Sequence, residues 1–250
     1  MSDRYKFNAL ADLTIIRNEK FSLELIKSGI IKFDSTIQQV CDSDLNISMI
    51  LGMRNLSSFV GEVFAASLIA NSNFRFKKNP HQDGYPDLLL MDDVGIKIFT
   101  DLTGRHREKD PFSPFTGGGL EIKATVGSVP TPQFFAKKGL QKPDIGDQRI
   151  EVLKSYDWKA HHRDTNHLLA IVWDFIGGKP TICGVFYQSR LNVEHWGKII
   201  SPKDGGGRTT SVSIMRRSGV ALMYQNWVAV IDDPRYIKFF NDYNSGSLIQ

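Results

Sequence analysis

Apolar and polar positions change period several times along the chain, and each change marks a predicted element. In the first fifty residues Ile15, Ile16, Phe21, Leu23, Leu25 and Ile26 recur at mixed spacing, which predicts helices joined by turns. Ser28-Gly29 reads as a helix stop, and Ser35 as the N-cap of a short helix through Val40. After Ser57-Ser58, the residues Phe59, Val60, Val63, Phe64, Leu68 and Ile69 recur at helical spacing, and residues 71–73 close that helix. Glu62 falls inside it. The period then shortens. Phe74 and Phe76 alternate with Arg75 and Lys77, as in a half-buried strand. Residues 79–84 form a turn, 88–91 an apolar run, 92–95 a hairpin-like turn and 96–99 a second apolar run.

A polar loop over residues 103–119, ending in Gly117-Gly118-Gly119, leads into a short strand at 120–125. Residues 147–158 read as a helix with Ile150, Val152 and Leu153 apolar. Residues 168–175 and 182–187 read as buried strands. A basic glycine-rich loop at 203–208 precedes an alternating strand at 209–215, a further strand from Gly219 and a terminal helix at 234–240. This order predicts an α/β fold with a central mixed β-sheet flanked by helices, additional N-terminal helices and C-terminal β elements.

Composition changes little in this picture. The chain has 250 residues, 41% apolar and 23% charged, which is ordinary for one globular domain. A domain of this size buries roughly 70–75% of its unfolded surface, so it needs no covalent staple. Cys41 and Cys183 stand far apart with no CxxC pair, against a zinc ribbon or redox motif. The first residues, Met1 to Lys6, carry no apolar signal core, and the longest apolar stretch, 167–176, is short and interrupted by Asp174. The expectation is a cytoplasmic protein. Net charge is only +4, but residues 198–217 alone account for that excess. The C-terminal part is therefore the basic end.

Two short stretches carry candidate chemistry. Tyr85-Pro86-Asp87 opens an apolar strand, and Glu121-Ile122-Lys123 lies on another. Side chains at i and i+2 share a strand face, so Glu121 and Lys123 point together while Ile122 points inward. If the strands are neighbours, Asp87, Glu121 and Lys123 meet at one end of the sheet. Two carboxylates suit a hard divalent cation, Mg2+ above all. A lysine beside them can act on an attacking water and offset charge in a phosphoryl transition state.

Pro86-Asp87 followed by Glu121-Ile122-Lys123 resembles the PD-(D/E)xK nuclease superfamily, over about residues 55–175. The size and basic C-terminal part look most like type II restriction endonucleases. The resemblance implies a restriction-endonuclease-like core at 55–175 within a single domain. It makes 1–54 a helical part for dimerisation or DNA contact, and 176–250 a DNA-recognition part. It implies Mg2+ held by Asp87, Glu121 and Glu62, the last from the helix before the first strand, with Lys123 catalytic beside them. It further implies hydrolysis of double-stranded DNA to 5′-phosphates, action as a homodimer, and functional pairing with a cognate DNA methyltransferase. Two alternatives stay open: a structure-specific repair or Holliday-junction nuclease, and a non-catalytic DNA-binding protein.

Candidate DNA contacts are Arg208 and Thr209 at the glycine-rich loop, Ser211 and Ser213 on one face of the following strand, and Arg216 and Arg217 as guanine forks. Arg105 in the mid-chain loop and Lys137 after the ExK strand are candidate phosphate contacts. The rival acids Asp92-Asp93 and Asp101 rank below Asp87. His161-His162-Arg163-Asp164 contains the letters of a kinase catalytic loop, but no glycine-rich phosphate loop or DFG accompanies it. Residues 205–210 lack the spacing of a P-loop.

Overall fold

The computed structural model describes residues 4–43, 50–161, 163–202 and 211–250. In chain order its strands are β1 (Tyr5–Phe7), β2 (Phe76–Lys78), β3 (Leu88–Leu90), β4 (Gly119–Thr125), β5 (Lys159–Ala160), β6 (Leu168–Ile176), β7 (Lys179–Gln188), β8 (Ser213–Ile214) and β9 (Trp227–Ile231). Its helices are α1 (Leu23–Cys41), α2 (Met53–Asn71), α3 (Asp93–Asp101), α4 (Pro132–Lys138), α5 (Arg217–Gln225) and α6 (Pro234–Tyr243).

The continuous apolar runs of β6 and β7 are buried on both faces, which places them at the centre of a sheet. Gly177 and Gly178, both at positive φ, supply the backbone of the two-residue hairpin between them. Around this hairpin the sheet orders as β1-β9-β7-β6-β4-β3-β2. Only β4 and β6 run parallel; the other pairs are antiparallel. A separate two-stranded sheet joins β5 to β8. The protein is thus mixed α/β, with a large mixed sheet and helices on both faces. The faces are marked by neighbours on β7: Tyr187 meets Phe21 edge-on at 4.9 Å, and Phe186 meets Phe240 of α6 at 5.3 Å. Among the described residues no helix is long and apolar enough to cross a membrane.

Several expectations are corrected. The N-terminal part opens on a strand, because β1 pairs with β9 at the sheet edge. Ser28-Gly29 does not stop a helix, and Ser35 caps none; both lie within α1, whose N-cap is Ser22, accepting from Leu25 N at 3.1 Å. Gly29 is where α1 and α2 approach: a Cβ there would stand 2.7 Å from Leu68 Cδ2. Phe74 is 89% exposed and precedes β2 instead of belonging to it. Asp92 is no hairpin residue. Its carboxylate accepts from Gly95 N at 2.8 Å and caps α3, so the apolar run 96–99 is helical.

The helix expected at 147–158 is absent: only a 3-10 turn, Ile150–Val152, forms there, and an extended segment follows. Gly219 lies in α5, not a strand, and the strand of that region is β9. Of the alternating stretch 209–215 only Ser213–Ile214 is a named strand, and residues 203–210 lie outside the described residues. The main sheet also draws β1, β7 and β9 from outside residues 55–175.

Asp174, the acid that interrupts the apolar stretch, explains the lost helix. It is 3% exposed, and its carboxylate accepts from Arg149 N at 2.9 Å, Phe175 N at 2.8 Å and the Tyr236 hydroxyl at 2.8 Å. One buried carboxylate therefore fixes the 149–152 turn and α6 against β6. Burial raises its pKa, and these donors oppose the rise. Asp174→Ala should cost about 1–3 kcal/mol or more of stability, since three donors lose their acceptor. Tyr236→Phe should cost less, and urea unfolding of both variants checks the order.

Candidate active site

The register Leu88↔Leu120 brings the start of β3 beside the start of β4. Backbone is packed tightly there: a Cβ on Gly119 would fall 1.9 Å from Leu88 O. The glycine triplet thus allows close strand approach, as glycines in strands often do. Asp87 and Glu121 then lock each other. Asp87 N donates to Glu121 Oε2 at 3.2 Å, and Ile122 N donates to Asp87 Oδ2 at 2.8 Å. Lys123 Nζ pairs with Glu121 Oε1 and lies 3.6 Å from Asp87 Oδ2. The structure thus brings together the three residues expected to meet.

Their environments differ. The Glu121 side chain is 7% exposed, Lys123 20% and Asp87 38%. Burial raises the Glu121 pKa; the Lys123 ammonium opposes this and the Asp87 carboxylate reinforces it. Burial lowers the Lys123 pKa, but Glu121 and then Asp87 outweigh it, and the net direction is up. Lys123 is therefore held as an ammonium.

The turn segment leading to Asp87 is held by polar side chains, of which Asn79 and Asn166 carried no assigned role in the sequence. Asn79 Nδ2 donates to Pro86 O and Phe112 O, each at 3.0 Å, and Asn79 N donates to Asp87 O at 2.9 Å. The Tyr85 hydroxyl donates to Asn166 Oδ1 at 3.1 Å and accepts from Asn166 N at 3.2 Å. No pattern of period or motif marks Asn79 or Asn166. Asn166 acts through Tyr85, 81 residues away, and Asn79 joins its own turn to Phe112, 33 residues on.

A cleft of about 960 Å³ opens over these residues. Residues 122–127 line it from β4 and its continuation, Ser57, Ser58, Gly61 and Glu62 from α2, and Asp157, Lys159 and His161 from the segment before β6. Glu62 reaches the cleft but not the carboxylate pair: it is ion-paired with Lys78 at 2.5 Å. Among the described residues no third His, Cys, Asp or Glu joins Asp87 and Glu121 as a metal-ligand group.

The expected DNA contacts scatter. Arg208 and Thr209 lie outside the described residues. Ser213 is fully buried and its hydroxyl donates to Gly197 O at 2.7 Å, which removes it from any surface. Arg217 lies 3.6 Å over the Tyr243 ring and donates to the Tyr243 carbonyl, so it holds α5 to the end of α6. Arg216 is exposed at the start of α5 and donates to Glu194 O at 3.3 Å. The Ser211 carbonyl faces His161 Nδ1 at 3.2 Å. Arg105 is exposed and paired with Glu108 two residues from the 3-10 turn Asp110–Phe112, and Lys137 is exposed in the last turn of α4. Of the rival acids, Asp92 is ion-paired with Arg17 at 2.6 Å besides capping α3.

In comparisons with known proteins, no family model matches the chain, and no curated protein or solved structure matches it either.

The carboxylate–ammonium arrangement has a stability consequence. Lys123→Met leaves Glu121 buried beside Asp87 without its countercharge. The cost should be about 1–3 kcal/mol, below that of a fully buried pair because the ammonium reaches the cleft. Adding Glu121→Gln to Lys123→Met should recover most of it, and a denaturant-unfolding double-mutant cycle measures the coupling.

Proposed function

We propose that this chain is a Mg2+-dependent DNA endonuclease of the PD-(D/E)xK kind, most like a type II restriction enzyme. The observation that carries the reading is the convergence of Asp87, Glu121 and Lys123 on adjacent strand starts at a cleft. The surroundings support it. A helix that lines the cleft, α2, precedes the site; β2, β3 and β4 run as an antiparallel set; β6 returns parallel to β4. We read this order as a restriction-endonuclease-like core.

The donor set fits Mg2+, which takes one or two carboxylates and keeps several waters. Asp87 and Glu121 offer hard oxygen donors only, and Lys123 already occupies their negative field as a resident cation. When bound, the metal would supply Lewis acidity toward a phosphate oxygen. The chain's own residues do the rest. The Glu121 carboxylate is held by Asp87 N and the Asp87 carboxylate by Ile122 N, so little reorganisation is needed when substrate arrives. Lys123, charged, donates hydrogen bonds: it orients the attacking water and steadies the charge that develops on the phosphoryl oxygens. Attack at phosphorus with loss of the 3′-oxygen leaves a 5′-phosphate. On this reading the enzyme cuts double-stranded DNA as a homodimer and works beside a cognate methyltransferase.

The test is digestion of unmethylated, methylated and branched DNA by wild type and Asp87→Asn, in Mg2+ and in EDTA. Wild type should give discrete bands with 5′-phosphate ends in Mg2+ alone, and Asp87→Asn should lose about 100-fold or more of the rate. Cutting confined to branched DNA would keep the chemistry and move the substrate to junctions. No cutting of any of the three would overturn the catalytic reading.

A further inference from the structure

The extended segment 156–161 has a two-residue period of exposure that no assigned role uses. Tyr156, Trp158 and Ala160 are 0%, 1% and 2% exposed. Between them Asp157 is half-buried, Lys159 and His161 are exposed, and all three line the cleft that holds Asp87 and Lys123. The segment is anchored from behind. Trp158 Nε1 donates to Ile171 O at 3.1 Å, Met215 N donates to Trp158 O at 2.9 Å, and Asn244 Nδ2 donates to the Tyr156 hydroxyl at 2.8 Å. A Ser128–Ser155 bridge ties its start to the continuation of β4. The polar face is therefore presented in a fixed position by a rigid aromatic base.

Asp157 makes no hydrogen bond to any of the described residues. Burial raises its pKa and only the Lys159 ammonium opposes the rise. An unpartnered carboxylate in a cleft that accepts a polyanion cannot face the phosphates. An acceptor-only group there finds donors on the exocyclic amino groups of the bases. Cytosine presents its amino group at the major-groove edge, whereas adenine sets an acceptor, N7, beside its donor and repels the second carboxylate oxygen.

We propose that this alternating wall is the base-reading face of the cleft, with Asp157 accepting from the exocyclic amino group of a cytosine and Lys159 screening it from the phosphates. The proposal rests on the nuclease reading of the Asp87–Lys123 site.

The experiment uses a randomised duplex DNA library with wild type and Asp157→Asn, matched for melting temperature. Cut ends made in Mg2+ are sequenced, and bound duplexes selected in Ca2+ are sequenced in parallel. Wild type should prefer C·G at one position near the cut. Asp157→Asn, whose amide both donates and accepts, should reduce that preference about tenfold and move it toward A·T. Identical preferences in the two proteins would overturn the base-reading role and leave the nuclease reading standing. If wild type cuts nothing, the nuclease reading falls and the bound pools decide: C·G enrichment lost in the variant supports the reading face, and equal or absent enrichment overturns it.

Discussion

Two carboxylates on neighbouring strands, with one ammonium between them, are the constraint on which this end of the molecule depends. Asp87 and Glu121 each accept from a backbone amide of the other's strand, so their negative charges are built into the β3–β4 pairing. Such a pair repels itself, and burial of Glu121 makes the repulsion costlier. Lys123 relieves it from within the same strand face. Around this centre the fold spends tight geometry: the backbone contact at Gly119, the Asn79 side chain bracketing Pro86 and Phe112, and the Tyr85–Asn166 clamp. A structure built only for stability gains nothing from holding like charges together. Natural sites accept such local cost where a charged group is used.

The loop after β3 shows how that cost is carried. Residues 91–118 enclose a small core of their own, in which Leu89, Phe112 and Phe115 are buried and Ile98, Phe99 and Leu102 pack on them. Phe112 and Phe115 stack at 6.1 Å, and the backbone of both bonds to Tyr85: Tyr85 N donates to Phe112 O, and Phe115 N donates to Tyr85 O. The insert therefore clamps the approach to Asp87 from the outside while Asn166 clamps it from the β6 side. Asp87 is the most exposed of the three site residues, and the segment leading to it is braced from both sides.

How much of this could be read from the chain depends on where the deciding contacts lie. β6 and β7 were legible because their burial is written in apolar runs, and β4 because apolar Leu120, Ile122 and Ala124 alternate with Glu121 and Lys123. The Asp87, Glu121 and Lys123 meeting was legible because it needs only strand periodicity and one pairing. Other elements were set by distant partners. Residues 147–158 have helical apolar spacing, but Asp174 captures the Arg149 amide and the aromatic cluster takes Tyr156 and Trp158, so the segment extends. Residues 96–99 read as a short apolar run after a hairpin-like turn, but the Asp92 cap begins a helix. Gly29 reads in sequence as a helix stop and Gly219 as the start of a strand, yet both serve as close-approach points in helices. Glu62 sits on the expected helix and at the expected cleft, yet it is paired with Lys78 and does not join the carboxylate pair.

The charge of the cleft gives the final step. Among the residues lining it, Glu62, Asp87 and Asp157 offset Lys78, Lys123 and Lys159 in number, and Glu121 adds a buried acid beneath. The overall +4 therefore does not reside where a phosphate would have to come. A polyanion approaching this surface meets a field that is neutral to negative, and close contact is opposed at short range. On the nuclease reading, a divalent cation changes the sign of that field at Asp87 and Glu121, so metal and nucleic acid would bind with positive coupling and each would raise the affinity of the other by the same factor. Lys123 alone cannot do this, because its charge is already spent on the two carboxylates that hold it. Of the basic residues in 198–217, two stand at the start of α5. Arg216 is exposed. Arg217 is committed to Tyr243. Asp157, Lys159 and His161 add polar groups to the cleft wall from a segment of nearly balanced charge, beside those of α2, β2 and β4.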